Sequence, residues 1–128
     1  MNNRFCAGII IRNEKVLLLE RSEKEDGPHK WCPINGGIEN NEEPEQAVIR
    51  EAQEETGLDF RIIKSLPSPV YKKDITFVFL GTGKGQIKLN PEEVVSYGWF
   101  SYDEAISLNF AYGYDQVIKK LFELKLIK

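Results

Sequence analysis

Two apolar runs open the chain, Phe5–Arg12 (FCAGIIIR) and Val16–Arg21 (VLLLER), joined across Asn13-Glu14. Runs of this length across a short polar link predict an antiparallel hairpin, with Asn-Glu a weaker turn than Asn-Gly. Ser22–Lys30 is polar and carries Gly27-Pro28, which predicts a loop, and Trp31–Glu39 (WCPINGGIE) reads as a short irregular lead-in. The period then changes. From Pro44 to Thr56 the apolar residues Ala47, Val48 and Ala52 form a narrow helical stripe with Ile49 on its shoulder. Pro44 suits a first helical turn and Gly57 a C-terminal stop. Phe60–Leu66 and Asp74–Gly81 (DITFVFLG) read as strands, and the glycines at 81, 83 and 85 as a turn toward Gln86–Leu89. Val94–Ser101 is a further strand, and Tyr114–Leu124 a closing helix with Val117, Ile118, Leu121 and Phe122 at helical spacing. Strands, helix, strands, helix in this order predict an α+β or mixed-sheet layered domain.

Composition narrows the class. A chain of 128 residues accommodates one domain, residues 1–128, with a core large enough to need no disulfide or metal staple. Cys6 and Cys32 are too few and too far apart for a disulfide framework or a metal knuckle. No run approaches the roughly 18 apolar residues of a membrane span, and the start lacks a signal-peptide pattern. The expectation is a cytoplasmic domain without a membrane partner. A formal charge of -3 argues against a basic nucleic-acid binder, so no nucleic-acid partner is expected. That charge is uneven: Glu39–Glu55 holds seven glutamates and one basic residue, Arg50, while the rest of the chain is net basic.

On a helix over 44–57, Glu51, Glu54 and Glu55 project from neighbouring positions. Like charges at i,i+3 and i,i+4 repel by about 0.2–0.5 kcal/mol per pair, and the C-terminal half of a helix disfavours anions. A bound divalent cation reverses the sign of that interaction, and an all-oxygen set suits Mg²⁺, with Mn²⁺ as a substitute. A solvated acidic face is the plain alternative.

The wider spacing is more specific. Gly36, five residues, Glu42, seven residues, then Arg50-Glu51-Ala52-Gln53-Glu54-Glu55-Thr56-Gly57-Leu58 resembles the Nudix box of the Nudix hydrolases, with Ala52 smaller than the usual aliphatic residue. The lead-in Trp31–Gly37 is similar to that family's W-x-x-P-G-G, with Asn35 standing for the first glycine; Asn tolerates left-handed backbone. The resemblance, MutT-like in kind, implies an α/β/α sandwich with a mixed, partly antiparallel sheet. It implies metal-facing Glu51, Glu54 and Glu55, a backbone carbonyl near Asn35 or Gly36 as a further ligand, and Glu93, ahead of Glu92, completing the set. Glu42 and Arg50 would pair across the loop-to-helix junction, with Arg50 orienting Glu51 or Glu54. Gly36, Glu42 and Gly57 would be structural, and Glu51 or Glu54 the general base.

The implied reaction is Mg²⁺-dependent hydrolysis of a phosphoanhydride in a nucleoside diphosphate linked to another group. A nucleoside triphosphate giving NMP and pyrophosphate stands first. ADP-ribose or nucleotide-sugar hydrolysis and a non-catalytic nucleotide-binding module are the alternatives. Arg21 is a candidate phosphate partner, and Tyr114 and Asp115 candidate base contacts. The aromatics Phe5, Tyr71, Phe77, Phe79, Phe110 and Tyr112 serve as stacking surfaces or core. His29 reads as an exposed loop residue and Cys32 as a small buried one. The partner is a small nucleotide, acted on by a monomer or homodimer.

Overall fold

A computed structural model describes residues 3–128. The elements are β1 (Arg4–Arg12), β2 (Lys15–Arg21), β3 (Trp31–Cys32), β4 (Ile34–Gly37), α1 (Pro44–Thr56), β5 (Asp59–Leu66), β6 (Ile75–Lys84), β7 (Val94–Phe100), α2 (Tyr102–Ala105) and α3 (Asp115–Glu123). β1 is the axis. It runs parallel to β6 from Arg4↔Ile75 to Ile10↔Gly81, antiparallel to β4 over Phe5–Gly8, and antiparallel to β2 at Ile11↔Val16. β5 extends the sheet beyond β6, and β7 pairs along β2.

The apolar runs of the sequence are explained by cover on both faces. Successive residues alternate between two cores, since side chains along a strand alternate sides. Ala7, Ile9, Val16, Leu18, Val78 and Leu80 pack with Val117, Ile118 and Leu121 of α3. Cys6, Ile10, Leu17, Leu19 and Phe79 pack with Ala47, Val48 and Ala52 of α1. The result is an α/β/α sandwich with a mixed sheet, as the chain pattern and the resemblance imply. Among the described residues no helix is long and apolar enough to cross a membrane.

α1 begins where Gln46 Oε1 accepts the Glu43 N–H at 2.8 Å, and Pro44 fills the first turn. It stops at Gly57, whose φ of 73° is left-handed and whose N–H returns to Gln53 O. Three expectations are corrected. Trp31–Gly37 is two short strands, β3 and β4, because β2 and β1 offer it free edges. Asn35 is extended strand backbone and needs no left-handed tolerance. The glycine cluster is no turn as a whole: β6 continues to Lys84, and only Gly85, at φ 110°, leaves the strand. Gly81 is small for packing reasons, because a Cβ there would run into Arg61 O and the Phe60 ring.

Gly81→Val should therefore destabilise the protein by about 1–3 kcal/mol or more through overpacking, read by urea denaturation. A turn residue with open surroundings would show no comparable loss.

Candidate active site

Three glutamates converge where α1, β4 and the turn before β7 meet. Glu51 and Glu55 stand one helical turn apart on the buried side of α1, and Glu93 comes from the turn at 91–93. One carboxylate oxygen of each lies within 4.8 Å of the other two. Local structure fixes each. Glu55 Oε1 accepts the Asn35 N–H of β4 at 3.1 Å. A Cβ on Gly36 would collide with the Glu51 carboxyl, so glycine at this strand position leaves that carboxylate its present place. Gly36 O accepts a long contact from Cys6 Sγ at 3.6 Å. Residues 86–90 cross the end of α1, with Lys88 N–H donating to Thr56 O at 2.7 Å and Asn90 N–H to Glu55 O at 3.2 Å. The next turn hangs from the end of β2, where Ser22 N–H donates to Glu93 O at 2.9 Å and Ser22 Oγ to Glu92 O at 2.8 Å. Glu93 thus faces the cluster, and its Oε2 is buried without a partner among the described residues. Glu92 points outward and pairs with Lys24 at 2.6 Å.

Arg50 ties the site together. Its Nε and Nη2 donate to the Glu42 carboxylate at 2.8 and 3.0 Å, Nη2 also to Gly37 O at 3.0 Å, and Nη1 to Glu51 at 2.8 Å and Glu54 at 3.2 Å. Glu54, with its side chain 44% exposed, stays outside the converging trio and, among the described residues, is held by Arg50. Burial dominates the electrostatics. It pushes Glu51 up to about 7, against the opposing Arg50 charge and with help from Glu54 and Glu93. Burial and then the Glu51 charge raise Glu55 well above the usual carboxylate range, against the Asn35 N–H. Burial, then Glu25 and Glu54, raise Glu93. Such a set gives up its protons less readily than ordinary carboxylates, and a cation would compete with those protons.

Arg21 ends β2 on the wall of the same hollow. It donates to Asp26 O at 2.6 Å and to the Tyr112 hydroxyl at 3.0 Å, with its guanidinium 4.9 Å from that ring's centre. The hollow, about 220 Å³, meets a second of about 370 Å³ across shared walls at Phe5, Asn35 and Tyr112. Tyr71, Thr76 and Tyr114 line the second hollow. Adjoining through Phe5, Asn35 and Tyr112, the two make a trough from the carboxylates to a chamber lined by aromatic rings and by the charged Asp26, Lys72 and Asp74.

The structure separates the remaining candidates. Tyr114 is 2% exposed and packs in the α3-side core, so it can present only an edge to the chamber. Asp115 lines a different hollow beside Ile106 and Lys119 and does not join the trough, because α3 turns it away. His29 is exposed and lies against Glu20 and Glu23. The Cys32 thiol is pushed up to about 12 by burial and stays protonated. Reading residue types along the chain misses the side chain of Asn35 and the bridging position of Tyr112. The available signal for Asn35 was an amide standing where the lead-in has glycine.

Fold and site together define a layered α/β domain with a buried carboxylate cluster of the kind that binds a divalent metal. A family model described as the NUDIX domain matches residues 2–121, and the chain belongs to the Nudix family. The NAD-capped RNA hydrolase NudC of Citrobacter koseri is 32% identical over 103 residues, covering 77% of this chain and 39% of that protein. NudC of Escherichia coli is 31% identical over 98 residues, covering 74% and 37%. The chain thus spans about two-fifths of the length of these curated relatives. Its fold is similar to a MutT Nudix hydrolase from Burkholderia pseudomallei, with TM-score 0.83 and 22% identity over 94% of this chain and 98% of that one. It is also similar to an ADP-ribose pyrophosphatase from Streptococcus suis, with TM-score 0.76 and 20% identity over 98% and 90%.

Glu51→Gln tests the electrostatics of the metal-free protein. Because burial raises the folded pKa above the unfolded one, Glu51 contributes stability that is lost as pH rises from about 4.5 through about 7. The variant should melt several degrees above wild type at pH 8 and level with it at pH 5, by thermal denaturation in chelator. Arg50→Met should instead lower stability at pH 8 by about 3–5 kcal/mol, since it leaves buried carboxylates uncompensated.

Proposed function

We propose that this chain is a divalent-metal-dependent pyrophosphohydrolase that cleaves a phosphoanhydride in a nucleotide, with a nucleoside triphosphate giving NMP and pyrophosphate as the first-ranked reaction. The observation that carries this reading is the convergence of Glu51, Glu55 and Glu93 at one end of a trough whose other end is aromatic. The donor set fits a hard cation: it is all carboxylate oxygen, Glu51 and Glu55 are buried, and Glu93 Oε2 lacks a partner among the described residues. Glu51, Glu55 and Glu93 would hold Mg²⁺ or Mn²⁺. The bound ion supplies charge neutralisation at the phosphates and acidifies water.

The chain's own residues supply the rest. Arg50 holds Glu51 and Glu54 in place while its other donors anchor Glu42 and Gly37 O. One of these two Arg50-held carboxylates takes the proton from the attacking water. Arg21, with part of its guanidinium directed at the Tyr112 hydroxyl, offers positive charge to a phosphate chain lying between the two hollows. Tyr71 and Tyr112, edge-to-face with centres 5.8 Å apart, offer ring surface to the organic half. The relatives' names widen the candidates: NudC is an NAD-capped RNA hydrolase, and a structural neighbour is an ADP-ribose pyrophosphatase.

The experiment is a panel of nucleoside triphosphates, ADP-ribose and NAD⁺ with product identification, in Mg²⁺, Mn²⁺ and chelator. Turnover should require metal, and triphosphates should yield pyrophosphate rather than single phosphates. Glu55→Gln should lose about 100-fold or more in kcat. Glu51→Gln and Glu54→Gln separate the base: the base's variant loses about 10²–10⁴-fold and the acid limb of the pH profile, whereas a loss in Glu51→Gln that comes from metal binding alone is rescued by higher metal concentration. Full activity in Glu55→Gln, or in chelator, overturns the reading.

A further inference from the structure

The second hollow holds one side chain whose state the hydrolytic chemistry does not explain. Asn35 is 6% exposed, and its Oδ1 is buried with no hydrogen-bond partner among the described residues. Folded proteins rarely leave a buried amide oxygen unpaired, so its retention calls for a partner from outside the chain. Strand register shows where it lies. Asn35 of β4 pairs with Ala7 of β1, and Phe5 of β1 pairs with Thr76 of β6. Ala7 packs in the α3-side core, so Phe5, two residues away, and the cross-strand partners Asn35 and Thr76 share that face. Gly37, opposite Phe5, has no side chain to fill the floor. The Tyr114 phenol, kept neutral by burial, lies near the Asn35 amide. Phe5, Asn35, Thr76 and Tyr114 together line the hollow, with Tyr71 and Tyr112 as its aromatic walls.

We propose that Asn35 is a specificity-determining residue: its Oδ1 accepts an N–H from an amino-bearing base of the adenine or cytosine type seated against Tyr71 and Tyr112. It disfavours bases that carry a carbonyl in place of that amino group. An unpaired acceptor facing a carbonyl repels it and stays unsatisfied, whereas an amino group completes the hydrogen bond. A site built to pair with a polar group rejects the analogue lacking it far more strongly than an apolar pocket rejects a missing methylene. This inference rests on the proposed function for the placement of the organic half in the trough, and goes beyond it in naming the residue that reads that half and the class it selects.

The test is equilibrium binding of matched monophosphates, AMP against IMP and CMP against UMP, to the intact chain in Mg²⁺ by calorimetry. Binding is read apart from turnover. AMP should bind about tenfold more tightly than IMP, with the same sense for CMP over UMP. In Asn35→Gly and Asn35→Ala, checked for folding by thermal melts, each ratio should fall to within about twofold. In ¹⁵N spectra of the wild type, the Asn35 side-chain amide should shift on adding AMP and not IMP, a readout that needs no variant. Equal binding within each pair, no binding of any monophosphate, or ratios unchanged in both variants overturns the inference. So does a preference for IMP and UMP, which would mean that the amide presents its NH₂. Turnover in the nucleotide panel without an amino preference removes this inference alone. A preserved preference with no turnover removes the hydrolase reading and leaves the inference standing.

Discussion

A guanidinium presents donors in a rigid planar fork, and Arg50 directs them to three parts of the chain at once. Glu42 belongs to the loop before α1, Gly37 to the end of β4, and Glu51 and Glu54 to α1 itself. That fork is what allows a strongly acidic loop and helix to lie against the sheet. Lys, a point charge on a flexible stem, cannot satisfy a carboxylate bidentately while also reaching a carbonyl and a second helix carboxylate. Arg50 does not neutralise the site completely, however. Glu51 remains raised to about 7 in spite of a 2.8 Å contact with it, so burial outweighs the ion pair.

The sheet makes that arrangement rigid. α1 sits on one core and α3 on the other, and β1 touches both while pairing with β2, β4 and β6. β4 delivers Asn35 and Gly36 to the carboxylates, and β2 delivers Arg21 and the Ser22 anchor of the Glu93 turn. Each piece therefore depends on elements buried on two faces rather than on loops alone, as close placement of a reactive group requires.

The parts that were legible in the sequence share a cause. α1 was visible from its period, its proline start and its glycine stop, and the β1–β2 hairpin from two apolar runs, because in each case local pattern and tertiary demand agree. The acidic face of α1 was readable because Glu51, Glu54 and Glu55 break the rule that like charges keep apart. What stayed hidden depends on partners distant in the chain. Trp31–Gly37 is too short and too rich in glycine to show strand pattern, and becomes β3 and β4 only because β2 and β1 offer edges. Gly81 and Gly83 look like turn residues but are small because Phe60, Ile10 and Leu58 occupy the space above them. Asp115 lies one residue from Tyr114 yet opens into another hollow, since the start of α3 sends successive side chains in different directions. The unequal standing of Glu92 and Glu93 is likewise tertiary: Ser22 binds both carbonyls, and the turn then sends one carboxylate inward and the other to Lys24.

Among the described residues, two buried side-chain atoms lack a hydrogen-bond partner, Glu93 Oε2 and Asn35 Oδ1. Folded proteins rarely retain such atoms, and both lie on the wall of one trough. Their surroundings differ in kind. Glu93 stands among carboxylates and calls for positive charge, while Asn35 stands at the junction of the two hollows, between Glu55 and the tyrosine-lined side, and calls for a donor. A single ligand that meets both demands must carry a cation-binding anionic chain at one end and a planar heterocycle with an N–H at the other, joined by a spacer that passes Phe5 and Tyr112. A nucleotide has this constitution, and a free phosphate chain or a free base would each leave one of the two atoms unpaired. The two unpaired atoms thus fit the proposed nucleotide substrate as a whole, with its recognition then divided between α1 and the β4–β1–β6 floor.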